Sequence, residues 1–250
     1  MQDFITGLQF LTRIKIANQT DWSPEKFGRS VKYFPLVGAA LGILLAFAAH
    51  VLNTLLPLTG IYLPLHIVAA ILLSLTIVLS GGIQCDGFMD TMDGVFSGRS
   101  KERMLEIMKD SRVGANGVTA FCSLMLIKWS LLLDISPAEL PAALFIMPVL
   151  GRFAMVVGIT LFPYARPDGI GKAFAQHATK KSLLIALLLS GLLVVPAAVK
   201  GFAALAVTVI GAYAFSSYIT RLLDGLTGDI YGALTEITEI LVLFVFILLK

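Results

Sequence analysis

The sequence predicts an all-α, polytopic integral-membrane helical bundle with about seven transmembrane helices. Three observations carry this. Hydrophobic residues make up 57% of the 250, and charged residues only 14%, where a soluble domain carries about a quarter. The mean hydropathy is +0.88. The apolar residues gather in near-continuous runs, about the 20 residues that a helix needs to cross a bilayer. A soluble core of this length could not hide so much apolar surface.

Seven such runs are expected to span, at 35–56, 63–80, 116–133, 140–161, 182–199, 202–219 and 233–249. Ahead of the first, Phe4, Ile5, Leu8, Phe10, Leu11 and Ile14 recur at near-helical spacing. They fit equally a helix on the membrane surface or one packed on the bundle. No basic n-region, apolar core and small-residue cleavage site open the chain, so no cleavable signal peptide is expected. Gly38 and Gly42 form a GxxxG pair in the first span, which suits close helix contact. The fifth and sixth spans are separated by only Lys200 and Gly201, so a tight helical hairpin is expected there.

The loops fall into two sets. Residues before the first span, 81–115, 162–181 and 220–232 hold fifteen of the nineteen Lys and Arg. The opposite set, 57–62, 134–139, the Lys200–Gly201 turn and the C-terminus, holds only Lys200 and Lys250. Positive residues favour the cytoplasmic side. The chain therefore reads as a multi-pass protein of the cell inner (cytoplasmic) membrane, with its long polar loops and active site facing the cytoplasm. The net charge of +3 reports this topology and no nucleic-acid partner. No repeat or linker divides the chain. Residues 1–250 read as one membrane-embedded domain, with 1–34 an interfacial segment and 81–115 an acidic catalytic loop.

That loop opens Gly81-Gly82-Ile83-Gln84-Cys85-Asp86-Gly87-Phe88-Met89-Asp90-Thr91-Met92-Asp93-Gly94. On a helix Asp86, Asp90 and Asp93 share one face. Their like charges repel and call for a cation. An all-oxygen donor set suits a hard ion, and Mg²⁺ is the best fit because it uses few carboxylates together with substrate phosphates. The two cysteines and three histidines lack metal-ligand spacing, so zinc is not expected. Asp110 is a fourth candidate ligand, beside Lys109 and Arg112, which could hold phosphate. Glu102, Arg103 and Glu106 read as a solvent-facing helix. Further on, Asp229, Glu236 and Glu239 form a second acidic group, its glutamates entering an apolar span where ionisable groups are costly. Arg152, inside a span, should face the interior and meet a carboxylate or phosphate. Lys128 is expected to snorkel. Arg166 and Lys172 lie in the turn-rich run after the fourth span, open to an anionic ligand.

Four separated stretches, GGIQCDGFMDTMDG, RMLEIMKDSRVGANG, PYARPDGIGKAF and LTGDIYGALTEITE, resemble the cobalamin synthase family in the same order. The opening LQFLTRIKI and the YFPLVGAALG before the first span fit too. The resemblance covers nearly the whole chain. It implies an adenosylcobinamide-GDP ribazoletransferase: an Mg²⁺-dependent membrane phosphotransferase that moves the adenosylcobinamide phosphate moiety to α-ribazole or its 5′-phosphate, releasing GMP. The implied partners are those two substrates and the lipid bilayer; self-association into a homo-oligomer stays open.

The family's acidic motif falls on Asp86, Asp90 and Asp93, and its KDSR segment on Lys109, Asp110, Ser111 and Arg112. The family often has His where this chain has Gln84, so Gln84 is expected only to touch substrate. Asp93 or Asp110 is the expected base. Arg152, Arg166, Asp229, Glu236 and Glu239 join Gln84, Lys109 and Arg112 as substrate-binding candidates. Two other readings compete: a CDP-alcohol-phosphotransferase-like enzyme, whose motif spacing is not met after Asp86-Gly87, and a secondary transporter, which would need carboxylates at mid-membrane.

Overall fold

A computed structural model describes residues 2–19 and 21–249. Among these there is no strand, and twelve α-helices run in order: α1 (Gln2–Leu11), α2 (Pro24–Ser30), α3 (Phe34–His50), α4 (Leu65–Ser80), α5 (Ile83–Phe96), α6 (Lys101–Ile107), α7 (Ala115–Asp134), α8 (Leu140–Leu161), α9 (Ile170–His177), α10 (Lys180–Val194), α11 (Ala198–Leu223) and α12 (Gly228–Leu248). Five helical stretches among the described residues are long and apolar enough to cross a membrane, and α4 joins them when taken with α5. One of the five, Lys180–Leu223, doubles back between α10 and α11. Seven segments therefore traverse the bundle: α3, α4, α7, α8, α10, α11 and α12. The chain is a multi-pass membrane protein.

Helix α8 is the axis. It is buried along most of its length and packs chiefly on α3 and α12. Gly38 and Gly42 are where α3 meets it. A Cβ on Gly42 would stand 2.5 Å from the Phe145 carbonyl oxygen, and one on Gly38 would overlap the Pro148 carbonyl. The GxxxG pair is thus a backbone-to-backbone contact, as its small residues suggest. Two apolar cores stack along the axis. One, around Phe34, Phe153 and Tyr231, lies towards the end that carries α1, α2 and α9. The other, around Leu72, Leu144 and Phe246, lies towards the opposite end. Outside both, Ile43, Phe47, Val78, Leu126, Leu188 and Ile210 are exposed. Such a belt of uncovered apolar side chains is what a lipid surface covers.

The α10–α11 hairpin turns earlier than the sequence suggests. The reversal occupies Val195–Ala197 and the positive-φ residue Ala198 (φ 47). Lys200 and Gly201 already lie within α11. Pro196 breaks the helix there, because it cannot donate to the preceding turn. Ala186 of α10 lies in the first core and Val194 in the second, while α11 runs back from Ala204 in the second to Ala212 in the first. Lys200 pairs with Glu139 at this far end; Lys250 lies outside the described residues. Helix α1 stops at Leu11, short of the expected Ile14, and buries Leu8 and Leu11 against the first core. It packs on the bundle through α2 and α3.

Replacing Gly38 by Ala should lower the thermal midpoint of the detergent-solubilised protein by several degrees, since overpacking costs about 1–3 kcal/mol. Gly191→Ala, where a Cβ meets nothing within 4 Å, should leave the midpoint unchanged or raise it. A differential scanning measurement of both variants checks the pair.

Candidate active site at one end of the bundle

Two glycines create the platform. Gly81 and Gly82 take left-handed conformations (φ 69 and 74) that other residues rarely adopt. They end α4 and turn the chain by 92° into α5. Helix α5 therefore leaves the apolar spans and lies across the ends of α12 and α7. Its crossing of α12 is close: a Cβ on Gly87 would be 2.7 Å from the Asp229 carbonyl oxygen, and one on Gly232 3.0 Å from that of Gln84. Asp86 and Asp90, one turn apart on α5, thereby come beside Asp229 in the first turn of α12.

A second junction supplies a cation. The segments after α8 and before α12 are clipped together by two backbone bonds, Ala165 N–H to the Leu226 carbonyl and Leu226 N–H to the Pro163 carbonyl, each 2.8 Å. Arg166 is thus carried to Asp229, 2.8 Å away, with 17% of its side chain exposed. Thr227, the N-cap of α12, also donates its hydroxyl to Asp229 at 3.2 Å. The three carboxylates remain crowded. Partial burial, then Asp229, then Asp86 push the Asp90 carboxyl up to about 7, against the pull of Arg166.

The four aspartates expected to form one metal set do not converge. Among the described residues no three His, Cys, Asp or Glu side chains are close enough to hold an ion by themselves. Asp93 is turned to α7. Its oxygens accept from the N–H groups of Gly114 at 2.6 Å and Gly117 at 2.8 Å. It neutralises the open donors and positive end of that helix, and Gly117 lets it approach. Asp110 is bound bidentately by Arg112, which holds its carboxyl down to about 2. Arg112 is 88% exposed at its side chain, and Lys109 is also exposed. The Arg103–Glu106 pair is exposed too, as a solvent-facing α6 requires.

The second acidic group divides. Asp229 is in the cleft, but Glu236 and Glu239 are buried in an ion network inside the bundle. Lys128 of α7 donates to Glu236 at 2.5 Å and to Glu239 at 2.6 Å, and Arg152 of α8 donates to Glu239 at 2.8 Å. None of the four is more than 4% exposed. Two cations and two anions balance. The expectation that Arg152 meets a carboxylate holds, but Lys128 does not snorkel: the glutamates offer it a nearer partner than the membrane surface. With their charges answered internally, Arg152, Glu236 and Glu239 hold helices together and do not reach the cleft. The Cys85 thiol, 3.4 Å from Glu236, ties α5 to this network.

Asp86, Asp229 and Arg166 line a cavity of about 230 Å³. Gln84 lines it. Its aromatic walls were not legible in the sequence. Phe10 and Phe174 belong to a cluster with Phe27 and Phe34, whose ring centroids lie 5.3–5.4 Å apart, mostly edge to face. The N-terminal segment thus closes the site. Tyr164 and Tyr231, also in the wall, stand within the motif stretches but carry no spacing signal of their own.

The protein is similar in sequence to a known group over nearly its full length. Residues 3–247 match the family described as cobalamin-5-phosphate synthase. An adenosylcobinamide-GDP ribazoletransferase of Desulfitobacterium hafniense is 40% identical, covering 97% of this chain and 95% of that protein. Proteins of the same description from Fusobacterium nucleatum, 37% identical over 100% of this chain and 98% of the relative, and Pseudomonas paraeruginosa, 38% identical over 97% and 96%, are comparable. No solved structure matches.

Lys128→Met should cost about 3–5 kcal/mol of stability, because it leaves two buried carboxylates with one cation. Adding Glu236→Gln in the same chain should restore most of it, since Arg152 and Glu239 stay paired. Denaturation of the two variants and wild type measures this coupling.

Proposed function

Because this chain belongs to the cobalamin-5-phosphate synthase family, we propose that it transfers the adenosylcobinamide phosphate moiety of adenosylcobinamide-GDP to α-ribazole or its 5′-phosphate. GMP leaves, and adenosylcobalamin or its 5′-phosphate forms. This is the late nucleotide-loop assembly step of vitamin B12 biosynthesis. The observation that carries the reading is the presence of Asp86, Asp229 and Arg166 in the lining of one cavity, with Asp90 beside them. Fifteen of nineteen basic residues flank the same end, which supports a site on the cytoplasmic face of the inner membrane.

Mg²⁺ fits the cleft in one form only. The donors are all oxygens, and three carboxylates facing one arginine leave negative charge to be answered. One or two carboxylates suit an ion that takes its remaining ligands from substrate phosphates and water. Asp86, Asp90 and Asp229 would hold it; Asp93 and Asp110, bound elsewhere, would not. The ion supplies charge neutralisation on the diphosphate oxygens.

The chain's own groups do the rest. Arg166 stands where it can donate to a phosphate oxygen while keeping Asp229 in place. The carboxylates orient the acceptor's hydroxyl and take its proton. That oxygen bonds to the phosphorus attached to cobinamide, the bond from this phosphorus to the oxygen of GMP breaks, and GMP carries away the electron pair. Neither Asp93 nor Asp110 suits the role of base, the first because two amides hold its oxygens, the second because Arg112 does. The transporter reading loses its basis in the buried glutamates, which are already paired.

Asp86→Asn, Asp90→Asn and Asp229→Asn, made singly, should each slow GMP release from adenosylcobinamide-GDP at least about a hundredfold. Asp110→Asn should stay close to wild type. GMP measured in liposomes decides; full activity in all three cleft variants would defeat the assignment.

A further inference from the structure

The cavity beside the carboxylates has a lining that selects among the parts of the two substrates. Phe10, Leu11, Ile83, Met155, Ile170 and Phe174 make it largely apolar. Three residues of that lining carry polar atoms without hydrogen-bond partners among the described residues: Arg166 at its Nε, beside the carboxylates, and the uncharged Gln84 and Tyr231. The Gln84 side chain is in a residue only 2% exposed, and neither its Oε1 nor its Nε2 has a hydrogen bond among the described residues. The Tyr231 hydroxyl, in a residue 1% exposed, is likewise unpaired. Buried polar groups are rarely left so, and each is a cost that a ligand can remove. The volume of about 230 Å³ is below the ~300–1,000 Å³ of pockets that hold a whole drug-sized ligand. It takes one ring system, not a corrin.

We infer that this cavity receives the base of the acceptor nucleoside, the dimethylbenzimidazole of α-ribazole, with Gln84 and Tyr231 presented to its one free ring nitrogen. The inference rests on the transfer reaction proposed above. A methylated two-ring aromatic matches apolar and aromatic walls along most of its edge and needs a single donor. Guanine, the competing base, carries several donors and acceptors on its edges. Asp229 and Arg166 in the lining pair with each other, and Asp86 is assigned to the ion above, so one unpaired amide and one hydroxyl remain for guanine's edges and cannot satisfy them. The charged part of the lining fits the same choice. A ribose attached to a base held among the apolar walls meets Asp86, Asp229 and Arg166 in the same cavity, which brings the attacking hydroxyl to the carboxylates. Gln84 is then a specificity-determining residue for the acceptor.

The test is calorimetric binding of 5,6-dimethylbenzimidazole and, separately, of GDP to the full chain in lipid nanodiscs, with empty nanodiscs subtracted. Wild type should bind the base, Gln84→Leu should weaken that binding about tenfold, and Tyr231→Phe, which keeps the ring, should weaken it less. GDP binding should not change in either variant. In turnover Gln84→Leu should raise KM for α-ribazole and leave KM for adenosylcobinamide-GDP alone. Loss of GDP affinity with the base still bound would make this the guanine site and overturn the inference, as would unchanged affinity for the base in both variants. Should Gln84→Leu fail to fold, Tyr231→Phe must still weaken binding of the base, by less than about tenfold, and leave GDP binding unchanged. A wild type that binds the base through Gln84 yet never releases GMP would instead contradict the transfer reaction and leave the base site standing.

Discussion

Everything at the working end depends on one close approach, that of α5 to α12 where Gly87 faces Asp229 and Gly232 faces Gln84. A side chain on either glycine would push the helices apart. Without that contact, Asp86 and Asp90 would not stand beside Asp229, and the cavity would open between the two helices. The approach is itself prepared by the Gly81–Gly82 bend and fixed at the other end of α5 by Asp93. Its two bonds to α7 turn a carboxylate of the acidic motif into a structural clasp. One short helix is thus pinned at its start, middle and end, and its two remaining aspartates face the cleft.

Below this platform the Lys128–Glu236–Glu239–Arg152 network works at a different level. Charges within a bundle are costly unless answered, and here each answers another across α7, α8 and α12. The network does not touch the cleft. It fixes the rotation of α12, the helix that presents Asp229 and Tyr231, and it reaches α5 through the Cys85 thiol. Positioning and chemistry are therefore divided along a single helix, with Asp229 at its first turn and the paired glutamates two and three turns further in.

The bundle was legible in the sequence because a bilayer leaves few solutions: apolar runs must be helices, and the basic residues sort the loops. Asp86 and Asp90 were legible as like charges on one helix face that call for a cation, whereas Asp229 was grouped with Glu236 and Glu239, because only the crossing of α5 and α12 brings it beside them. Asp93 was not, because helical spacing puts it on the face of Asp86 and Asp90 but says nothing of which helix end lies against it. Asp110 looked like a ligand until its own neighbour Arg112 claimed it. The partner of Arg152 was foreseen in kind. That of Lys128 was not, since snorkelling and internal pairing have the same sequence signature. The aromatic cavity was hidden for a further reason. Its walls come from α1, α5, α8, α9 and α12, and only the fold assembles them.

The proposed reaction turns on one claim: that Asp86, Asp90 and Asp229 grip a divalent ion jointly with a diphosphate. Electron paramagnetic resonance of Mn²⁺ added to the nanodisc-held protein, with and without GDP, measures this most directly. The account predicts weak Mn²⁺ binding that tightens when the diphosphate is present and is lost when Asp86 or Asp229 becomes Asn, while Asp110→Asn leaves it intact. Mn²⁺ binding that ignores the cleft carboxylates, or that disappears with Asp110, would contradict it.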